Sequence, residues 1–258
     1  MLRFRSLGSG STGNATLVEA TSGGRRTRLL IDCGFGIRQI DKRLASAGLV
    51  AGDLDGIFVT HEHGDHIGCV HALSKRNRIP VWMSEGTWLA TGGHDYEGRL
   101  NLARDGATIQ LGDLAIDPFT VPHDAREPLQ LRITDGARNL GVLTDLGHAT
   151  PYVMSRIVGL DALLLESNHD VEMLAGSAYP PFLKLRVGGN YGHLSNAAAA
   201  DIVRAVHHAG LRHVVAAHLS EQNNRPELVR RSLAEALGAS EDEMLTANAA
   251  EGSPWLDV

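Results

Sequence analysis

His61-Glu62-His63-Gly64-Asp65-His66 places three imidazoles and two carboxylates within six residues, directly after the apolar run 56–60. That run is typical of a buried strand, and in an extended segment side chains two positions apart point the same way. His61, His63 and Asp65 are therefore predicted to share one face, to which His66 can turn back its ring. Imidazole and carboxylate ligands suit zinc, manganese or iron. A polar, histidine-rich loop is the alternative, but the spacing favours metal ligands.

The composition bounds the fold and the partners. With 258 residues, 43% of them hydrophobic, the chain can bury a sizeable core, and we expect a single domain over residues 1–258. A net charge of −6 and a pI of about 6.1 provide no overall basic field to attract nucleic acid. A nuclease remains compatible with this charge, because two bound dications would add about four positive charges at the one place they matter.

Cysteine content and hydropathy indicate the compartment. Cys33 and Cys69 give no disulfide framework, and small buried side chains are their expected role. Residues 1–6 lack the apolar segment of a secretory signal, and no apolar run reaches the length of a membrane span. We therefore expect a cytoplasmic protein with no membrane partner.

Strand-like and helix-like segments alternate along the chain. A hairpin is predicted from 16–20 to 28–32 across Gly23-Gly24, and Pro226 suits the first turn of a helix over 226–237. Helices are also predicted over 37–47 and after Ser195, and further strands at 79–83, 114–121, 129–134, 139–144, 162–165 and 213–217.

The pattern also repeats in order. The segment 29–34 is echoed at 141–147, and the segment 54–63 is echoed at 160–169. Two similar halves, each a sheet with helices on one face, predict an α/β sandwich of helix, sheet, sheet and helix. In such a sandwich, polar residues would gather where the strand ends of both halves meet. The alternative is that the echoes arise because any strand ending in Asp-x-Gly looks alike.

Three further polar residues come directly after apolar, strand-like runs. His123 follows Val121-Pro122, Asp145 follows Leu143-Thr144, and His218 follows the run 214–217. Each taken singly can be a solvated loop residue. Together they supply the number and kind of ligands that two metal ions require.

With these residues, the chain resembles the metallo-β-lactamase-fold hydrolases, and more narrowly the YycJ/WalJ family. The resemblance covers nearly the whole chain and implies an αββα four-layer sandwich of two mixed β-sheets flanked by helices. Besides the segment 61–66, the motifs that carry it are Ser9-Gly10-Ser11-Thr12-Gly13-Asn14, Pro122-His123-Asp124-Ala125, Leu143-Thr144-Asp145, the run 165–173, Gly192-His193-Leu194-Ser195-Asn196 and Ala217-His218-Leu219-Ser220.

The resemblance also implies a ligand set for two divalent cations, zinc or manganese. One metal would be held by His61, His63 and His123, and the other by Asp65, His66 and His218. Asp145 would bridge both. Ions about 3.5–4 Å apart can share a carboxylate and a water, which becomes the nucleophile and which Asp65 can orient.

His193 distinguishes the possible reactions. It lies between the bridging Asp145 and the last ligand His218, where RNase Z-like phosphodiesterases carry a histidine that acts on the scissile phosphate. The resemblance implies that His193 protonates the leaving oxygen. Glu166, at the end of a predicted strand, would hold one tautomer of His193. The alternative is a loop residue that caps the helix after Ser195.

Other residues are candidates for roles around this site. By the resemblance, Asp32 corresponds to the first aspartate of the superfamily pattern, which orients the metal-binding loop; a turn-stabilising aspartate is the alternative. Substrate-binding candidates are Asn14, in the Gly-rich segment 11–14, and Ser195, beside His193. Lys184 and Arg186 complete this set as contacts to a nucleic-acid backbone. A tight turn at Asn14 and an ordinary solvated basic pair are the alternatives.

By resemblance, the expected function is that of a metal-dependent phosphodiesterase on nucleic acid. The substrate is taken to be DNA, degraded by an exonuclease from 5′ ends in connection with repair. Only residues 146–217 separate Asp145 from His218, so the inserted module of RNase J-type enzymes is absent. A small-molecule hydrolase of the same fold, such as a thioesterase or lactonase, and a sulfur dioxygenase are the alternatives.

Overall fold

Two seven-stranded β-sheets form the middle of the structure, a computed structural model that describes residues 1–258. The strands are β1 (Leu2–Gly8), β2 (Ala15–Ser22), β3 (Arg25–Ile31), β4 (Gly56–Phe58), β5 (Val81–Met83), β6 (Leu100–Leu102), β7 (Ile109–Leu111), β8 (Leu114–Thr120), β9 (Leu129–Thr134), β10 (Asn139–Leu143), β11 (Ala162–Glu166), β12 (His213–Ala217), β13 (Leu245–Thr246) and β14 (Leu256–Asp257). One sheet has the order β14-β1-β2-β3-β4-β5-β6 and the other β13-β12-β11-β10-β9-β8-β7. Both sheets mix parallel and antiparallel pairs.

Nine α-helices accompany the sheets: α1 (Ile37–Ser46), α2 (Gly64–Ile67), α3 (Val70–Asn77), α4 (Glu85–Ala90), α5 (Pro151–Arg156), α6 (Val171–Gly176), α7 (Pro181–Val187), α8 (Asn196–Val206) and α9 (Pro226–Leu237). None of them is long and apolar enough to cross a lipid bilayer.

Three apolar clusters hold the layers together. Between the sheets, Phe4 and Leu29 of the first sheet pack in one cluster with Leu131 and Val215 of the second. A second cluster joins the first sheet to α1 and α3, and a third joins the second sheet to α5, α8 and α9. Truncating a large core residue such as Phe4 to alanine would cost about 3–5 kcal/mol. The four-layer αββα sandwich is therefore confirmed.

The two sequence echoes correspond to equivalent strand pairs. β3 runs parallel to β4 in the first sheet, and β10 runs parallel to β11 in the second. The predicted hairpin is β2 and β3, and Gly23 and Gly24 have φ angles of 54° and 82° that favour glycine. The predicted helix 226–237 and strands 129–134 and 213–217 have the observed bounds.

The expectation of an extended segment through Asp65 is wrong. The strand β4 ends at Phe58, and α2 begins at Gly64, because the amides of His66 and Ile67 both donate to the carbonyl of His63 at 2.9 Å. Asp65 therefore projects from a helical turn rather than from the face shared by His61 and His63. This turn directs Asp65 towards His218 on the second sheet.

Candidate metal centre

The candidate site lies where both sheets end. His61 and His63 follow β4 of the first sheet, whereas the second sheet contributes residues at the ends of four of its strands. Those residues are His123 after β8, Asp145 after β10, Glu166 at the end of β11 and His218 after β12. The short loops hold polar side chains at the edge between the sheets.

One group of three imidazoles converges, with ring nitrogens facing one another. Nε2 of His61 lies 3.0 Å from Nδ1 of His63, which lies 3.3 Å from Nε2 of His123. The outer nitrogen of His123, Nδ1, is 3.0 Å from the carbonyl of Gly192 and donates to it. A neutral imidazole has one N–H, so the inner nitrogen of His123 presents a lone pair to the group. These three side chains can together hold one cation.

A second group forms around His66. Its Nε2 lies 3.6 Å from Oδ2 of Asp65, and the same oxygen lies 3.3 Å from Nε2 of His218. On its other side, Nδ1 of His66 lies 2.8 Å from Oδ2 of Asp32, which fixes the ring. The side-chain amide of Asn14 reaches Nε2 of His66 at 3.1 Å. Asp65, His66 and His218 can hold a cation as the first group can.

Asp145 lies between the two groups, and its surroundings indicate whether the groups fit metal ions. It is only 1% exposed, and neither carboxylate oxygen receives a hydrogen bond of acceptable geometry. Ring nitrogens of His66 and His218 lie 3.1 Å away, and Nε2 of His123 lies 3.8 Å away. A buried carboxylate without hydrogen-bond donors is costly unless a positive charge accompanies it. The donor set therefore fits divalent cations, with a carboxylate placed to serve both groups.

When no metal is present, protons on His66 and His218 compensate the negative charge of Asp145. Burial alone would raise the pKa of Asp145, but the positive charges of His218 and His66 hold it well below its ordinary value. Burial opposes a charge on His66, yet Asp145 and Asp32 raise its pKa to about 10. The pKa of His218 is likewise raised well above its ordinary value, against burial, by Asp145. Cations would replace these protons.

One candidate metal ligand, His218, and the supporting residue Asp32 adopt left-handed backbone conformations. His218 has a φ angle of 53° and Asp32 a φ angle of 60°. Such conformations cost about 1–3 kcal/mol for residues other than glycine and persist only where neighbours enforce them. For His218, the amide donates to the hydroxyl oxygen of Ser9 at 2.8 Å, and for Asp32 the amide donates to the carbonyl of Phe58 at 2.8 Å.

His193 lies beside the candidate metal ligands, and a hydrogen bond to Glu166 holds its ring. Its Nδ1 donates to Oε1 of Glu166 at 2.6 Å and lies 3.5 Å from Oδ1 of Asp145. Its side chain is 23% exposed and lines the cavity, so Nε2 is the nitrogen free to act there. Burial lowers the pKa of His193, but the charge of Glu166 outweighs it and leaves that pKa above its ordinary value.

A cavity of about 350 Å³ opens over this group and is lined by Ser11, Asp65, Asp145, His193 and His218 among others. Arg186 and Asp124 also line it. Nε of Arg186 donates to Oδ2 of Asp124 at 2.6 Å, which leaves the guanidinium's outer nitrogens available at the opening. Asp124 had no predicted role, although its position directly after the candidate ligand His123 was a usable signal.

The four substrate-binding candidates separate in the structure. Arg186 lines the cavity, whereas Asn14, Lys184 and Ser195 do not. Asn14 is buried behind the metal ligands, and the amino group of Lys184 donates to a backbone carbonyl of α6. The hydroxyl of Ser195 accepts from the backbone amide of Ala198 and caps α8. All the candidate metal ligands, in contrast, come together in one place.

Comparisons with known proteins agree with this geometry. A model of the Beta-lactamase superfamily domain matches residues 27–219. The chain is 36% identical over 239 residues to Exodeoxyribonuclease YycJ of Bacillus anthracis, which covers 92% of this chain and 89% of that protein. It is 31% identical over 244 residues to Exodeoxyribonuclease WalJ of Streptococcus pneumoniae serotype 2, with 93% and 89% covered. The metallo-beta-lactamase fold protein YhfI of Bacillus subtilis superimposes with a TM-score of 0.76 at 17% identity, over 99% of this chain and 98% of that one, and supports the fold alone.

The family match covers part of each sheet and every candidate metal ligand from His61 to His218. The two relatives extend the similarity to most of the chain at more than 30% identity. The protein therefore belongs to the beta-lactamase superfamily and is a metal-dependent hydrolase of the metallo-β-lactamase fold, similar to YycJ and WalJ.

Proposed function

We propose that the protein is a two-metal phosphodiesterase that degrades nucleic acid, specifically a DNA exonuclease. The observation that carries the proposal is the position of His193. Its ring centroid lies 5.3 Å from that of His123 and 5.2 Å from that of His218, while Glu166 fixes its far nitrogen. A proton donor is thus held beside both groups of metal ligands. The names of the two relatives, both exodeoxyribonucleases, support DNA as the substrate.

The proposed allocation gives three protein donors to each metal. His61, His63 and His123 hold one, Asp65, His66 and His218 hold the other, and Asp145 is shared. When bound, two divalent cations, zinc or manganese, neutralise charge on the phosphate and lower the pKa of a water molecule.

The protein's own groups account for the proton movements. Asp65 accepts a hydrogen bond from the attacking water and orients it. Glu166 raises the pKa of His193 and so favours the protonated ring, whose Nε2 can donate a proton to the leaving oxygen. Glu166 holds one ring proton at Nδ1, so the proton that is donated is the one on Nε2.

The substrate side of the cavity has one guanidinium, that of Arg186, which is paired with Asp124. The guanidinium of Arg186, aimed by Asp124, is placed to bind a phosphate of the nucleic-acid backbone. The cavity of about 350 Å³ has room for a group the size of a nucleotide. Since the net charge is −6, the affinity for the part of the nucleic-acid strand outside the cavity should be modest and sensitive to salt.

The finer parts of the proposal follow the family resemblance. We propose 5′-to-3′ polarity, a role in DNA repair, a cytoplasmic location and organisation of residues 1–258 as one domain. A sulfur dioxygenase is disfavoured because it would use one iron and leave Asp65 without a metal. Here Oδ2 of Asp65 lies within 3.6 Å of ring nitrogens of both His66 and His218.

A substrate screen tests the proposal directly. Single- and double-stranded DNA and RNA, labelled at the 5′ or the 3′ end, are incubated with the protein in manganese or zinc, beside a thioester and a lactone. We expect mononucleotides to be released stepwise from DNA, first from the 5′ end. Turnover of only the thioester or lactone, at a rate that His193→Ala leaves unchanged, would replace the proposal with the small-molecule hydrolase.

A further inference from the structure

The two cysteines, separated by 36 positions in sequence, meet behind the metal ligands. Sγ of Cys33 lies 3.4 Å from Sγ of Cys69. Their backbones are also joined, because the amide of Cys69 donates to the carbonyl of Cys33 at 3.1 Å. Cys33 is fully buried after β3, whereas Cys69 is only partly buried before α3. Cys69 is therefore the more accessible residue of the pair.

We propose that Cys33 and Cys69 form a redox modification site, a dithiol that a peroxide closes to a disulfide and that a thiol reductant reopens. A disulfide needs an S–S distance of about 2.05 Å, so the sulfurs must approach by little more than an ångström. Their backbones, one hydrogen bond apart, are close enough for this. The site does not depend on the proposed substrate.

The chemistry balances with hydrogen peroxide as the oxidant. The Cys69 thiolate attacks one peroxide oxygen, the O–O bond breaks, and the departing hydroxide takes a proton to become water. Cys69 is then a sulfenic acid. The sulfur of Cys33 attacks that of Cys69, the S–O bond breaks, and the second hydroxide leaves as water with the Cys33 proton. Two thiols and one peroxide thus give one disulfide and two waters.

The order of these steps follows from the environments of the two thiols. Cys69 is the more exposed, and the hydrogen bond from Cys33 lowers the pKa of Cys69 below its ordinary value. Cys33, in contrast, is fully buried. Cys69 is therefore the thiol that meets the oxidant, and Cys33 the one that resolves it.

Closure should disturb the metal ligands, because the same segments carry them. The amide of Cys33 donates to the carbonyl of His66 at 2.8 Å, and the adjacent Asp32 holds the ring of His66. The backbone there has no free space. A Cβ at Gly68 would lie 2.4 Å from the carbonyl oxygen of Cys33, and one at Gly34 would lie 1.7 Å from that of Asp65. We expect the disulfide to weaken metal affinity about tenfold, as loss of a supporting contact commonly does.

The experiment uses the metal-loaded, reduced protein. Samples are treated with hydrogen peroxide, alkylated under denaturing conditions and digested, and the peptides are identified by mass spectrometry. We expect a linked peptide pair containing Cys33 and Cys69, which dithiothreitol removes. If both cysteines are alkylated after peroxide treatment, or if the only disulfide joins two molecules through Cys69, the proposal is overturned.

Two single variants separate the roles of the thiols. With C33S, Cys69 should be oxidised beyond the sulfenic acid because nothing resolves it; with C69S, Cys33 should resist both peroxide and native-state alkylation. Metal affinity is measured by chelator competition on the oxidised and reduced forms. We expect the oxidised and reduced forms to differ in metal affinity only in the wild-type protein. Equal affinities of the two wild-type forms would refute the link between the disulfide and the metal centre. These readouts do not need nuclease activity, so failure of the proposed function would leave them intact.

Discussion

Glu166 Oε1 accepts a hydrogen bond from Nδ1 of His193 at 2.6 Å. The same oxygen lies 3.2 Å from Nδ1 of His218, and Oε2 accepts the backbone amides of Leu146 and Leu194 at 2.8 and 3.1 Å. This fully buried carboxylate therefore orients one candidate proton donor and one candidate metal ligand at the same time. Its position at the end of β11 gives both rings a common, rigid support.

Replacing His193 with alanine should separate catalysis from metal binding. We expect phosphodiester cleavage to fall about 10²–10⁴-fold, because the leaving oxygen loses its proton donor, while metal content stays at the wild-type value. Cleavage is measured on labelled DNA and metal by mass spectrometry of the purified protein. His207→Ala, at an exposed histidine, is the control and should behave as wild type. A His193→Ala variant with wild-type cleavage would remove the proposed role.

Replacing Glu166 with glutamine should change the pH profile of the reaction. The charge of Glu166 raises the pKa of His193 against burial, so its removal lowers that pKa. His193 would then lose its proton at lower pH, and the alkaline fall in kcat should begin earlier than in the wild-type enzyme. The measurement is kcat against pH at saturating metal. An unchanged alkaline limb would show that His193 is not the group whose protonation limits the rate.

Replacing Asp145 with asparagine should empty the metal centre. The variant keeps the size of the side chain but removes the charge that serves both groups of ligands. We expect close to two metals per chain in the wild-type protein and loss of most of them in Asp145→Asn. Elemental analysis after gel filtration provides the count, and Asp201→Asn, at an exposed position, is the control. Full occupancy in Asp145→Asn would contradict a shared carboxylate.

Arg186 and Lys184 form a matched pair for testing substrate contact. Arg186 lines the cavity, whereas the amino group of Lys184 is turned to a backbone carbonyl. We expect Arg186→Ala to raise KM for DNA about tenfold, since one charged hydrogen bond is lost. It should also reduce the slope of log KM against log salt by about 1. Lys184→Ala should change neither quantity, and equal effects of the two variants would show a diffuse charge rather than a phosphate contact.

Replacing Asn14 with alanine should weaken metal binding rather than substrate binding. Its side-chain amide lies 3.1 Å from Nε2 of His66 and is shielded from the cavity. We expect metal affinity to fall roughly 10–100-fold while KM at saturating metal is unchanged. Asn101→Ala, at an exposed position, is the control. A raised KM at full metal occupancy would restore the original expectation of substrate contact.

His123, Asp145 and His218 were predictable because each follows an apolar, strand-like run. Asp145 and His218 could be placed at a sheet edge by that signal alone, and the parallel pairing of β10, β11 and β12 then brings their strand ends together. The direction of Asp65 was not predictable in this way. A helical turn of four residues, Gly64–Ile67, has no periodicity to detect, and its start depends on hydrogen bonds to the carbonyl of His63.

The residues around the cavity depend on tertiary contacts that leave little trace in sequence. The helix α7 has no buried residue, so no apolar stripe indicates which of Lys184 and Arg186 faces the site. That choice is made by Asp124, 62 positions earlier in the chain. The two-residue strand β14 is likewise defined only by its pairing with β1.

The candidate metal centre combines His61, which follows β4 of the first sheet, with His218, which follows β12 of the second. A nascent chain that has left the ribosome only as far as β11 contains six of the seven candidate metal-binding side chains but lacks the last one. Cation capture at the second group must therefore wait until β12 has been translated and added to its sheet. Hydrolytic competence consequently arrives late in synthesis, when nearly the whole sandwich is already assembled.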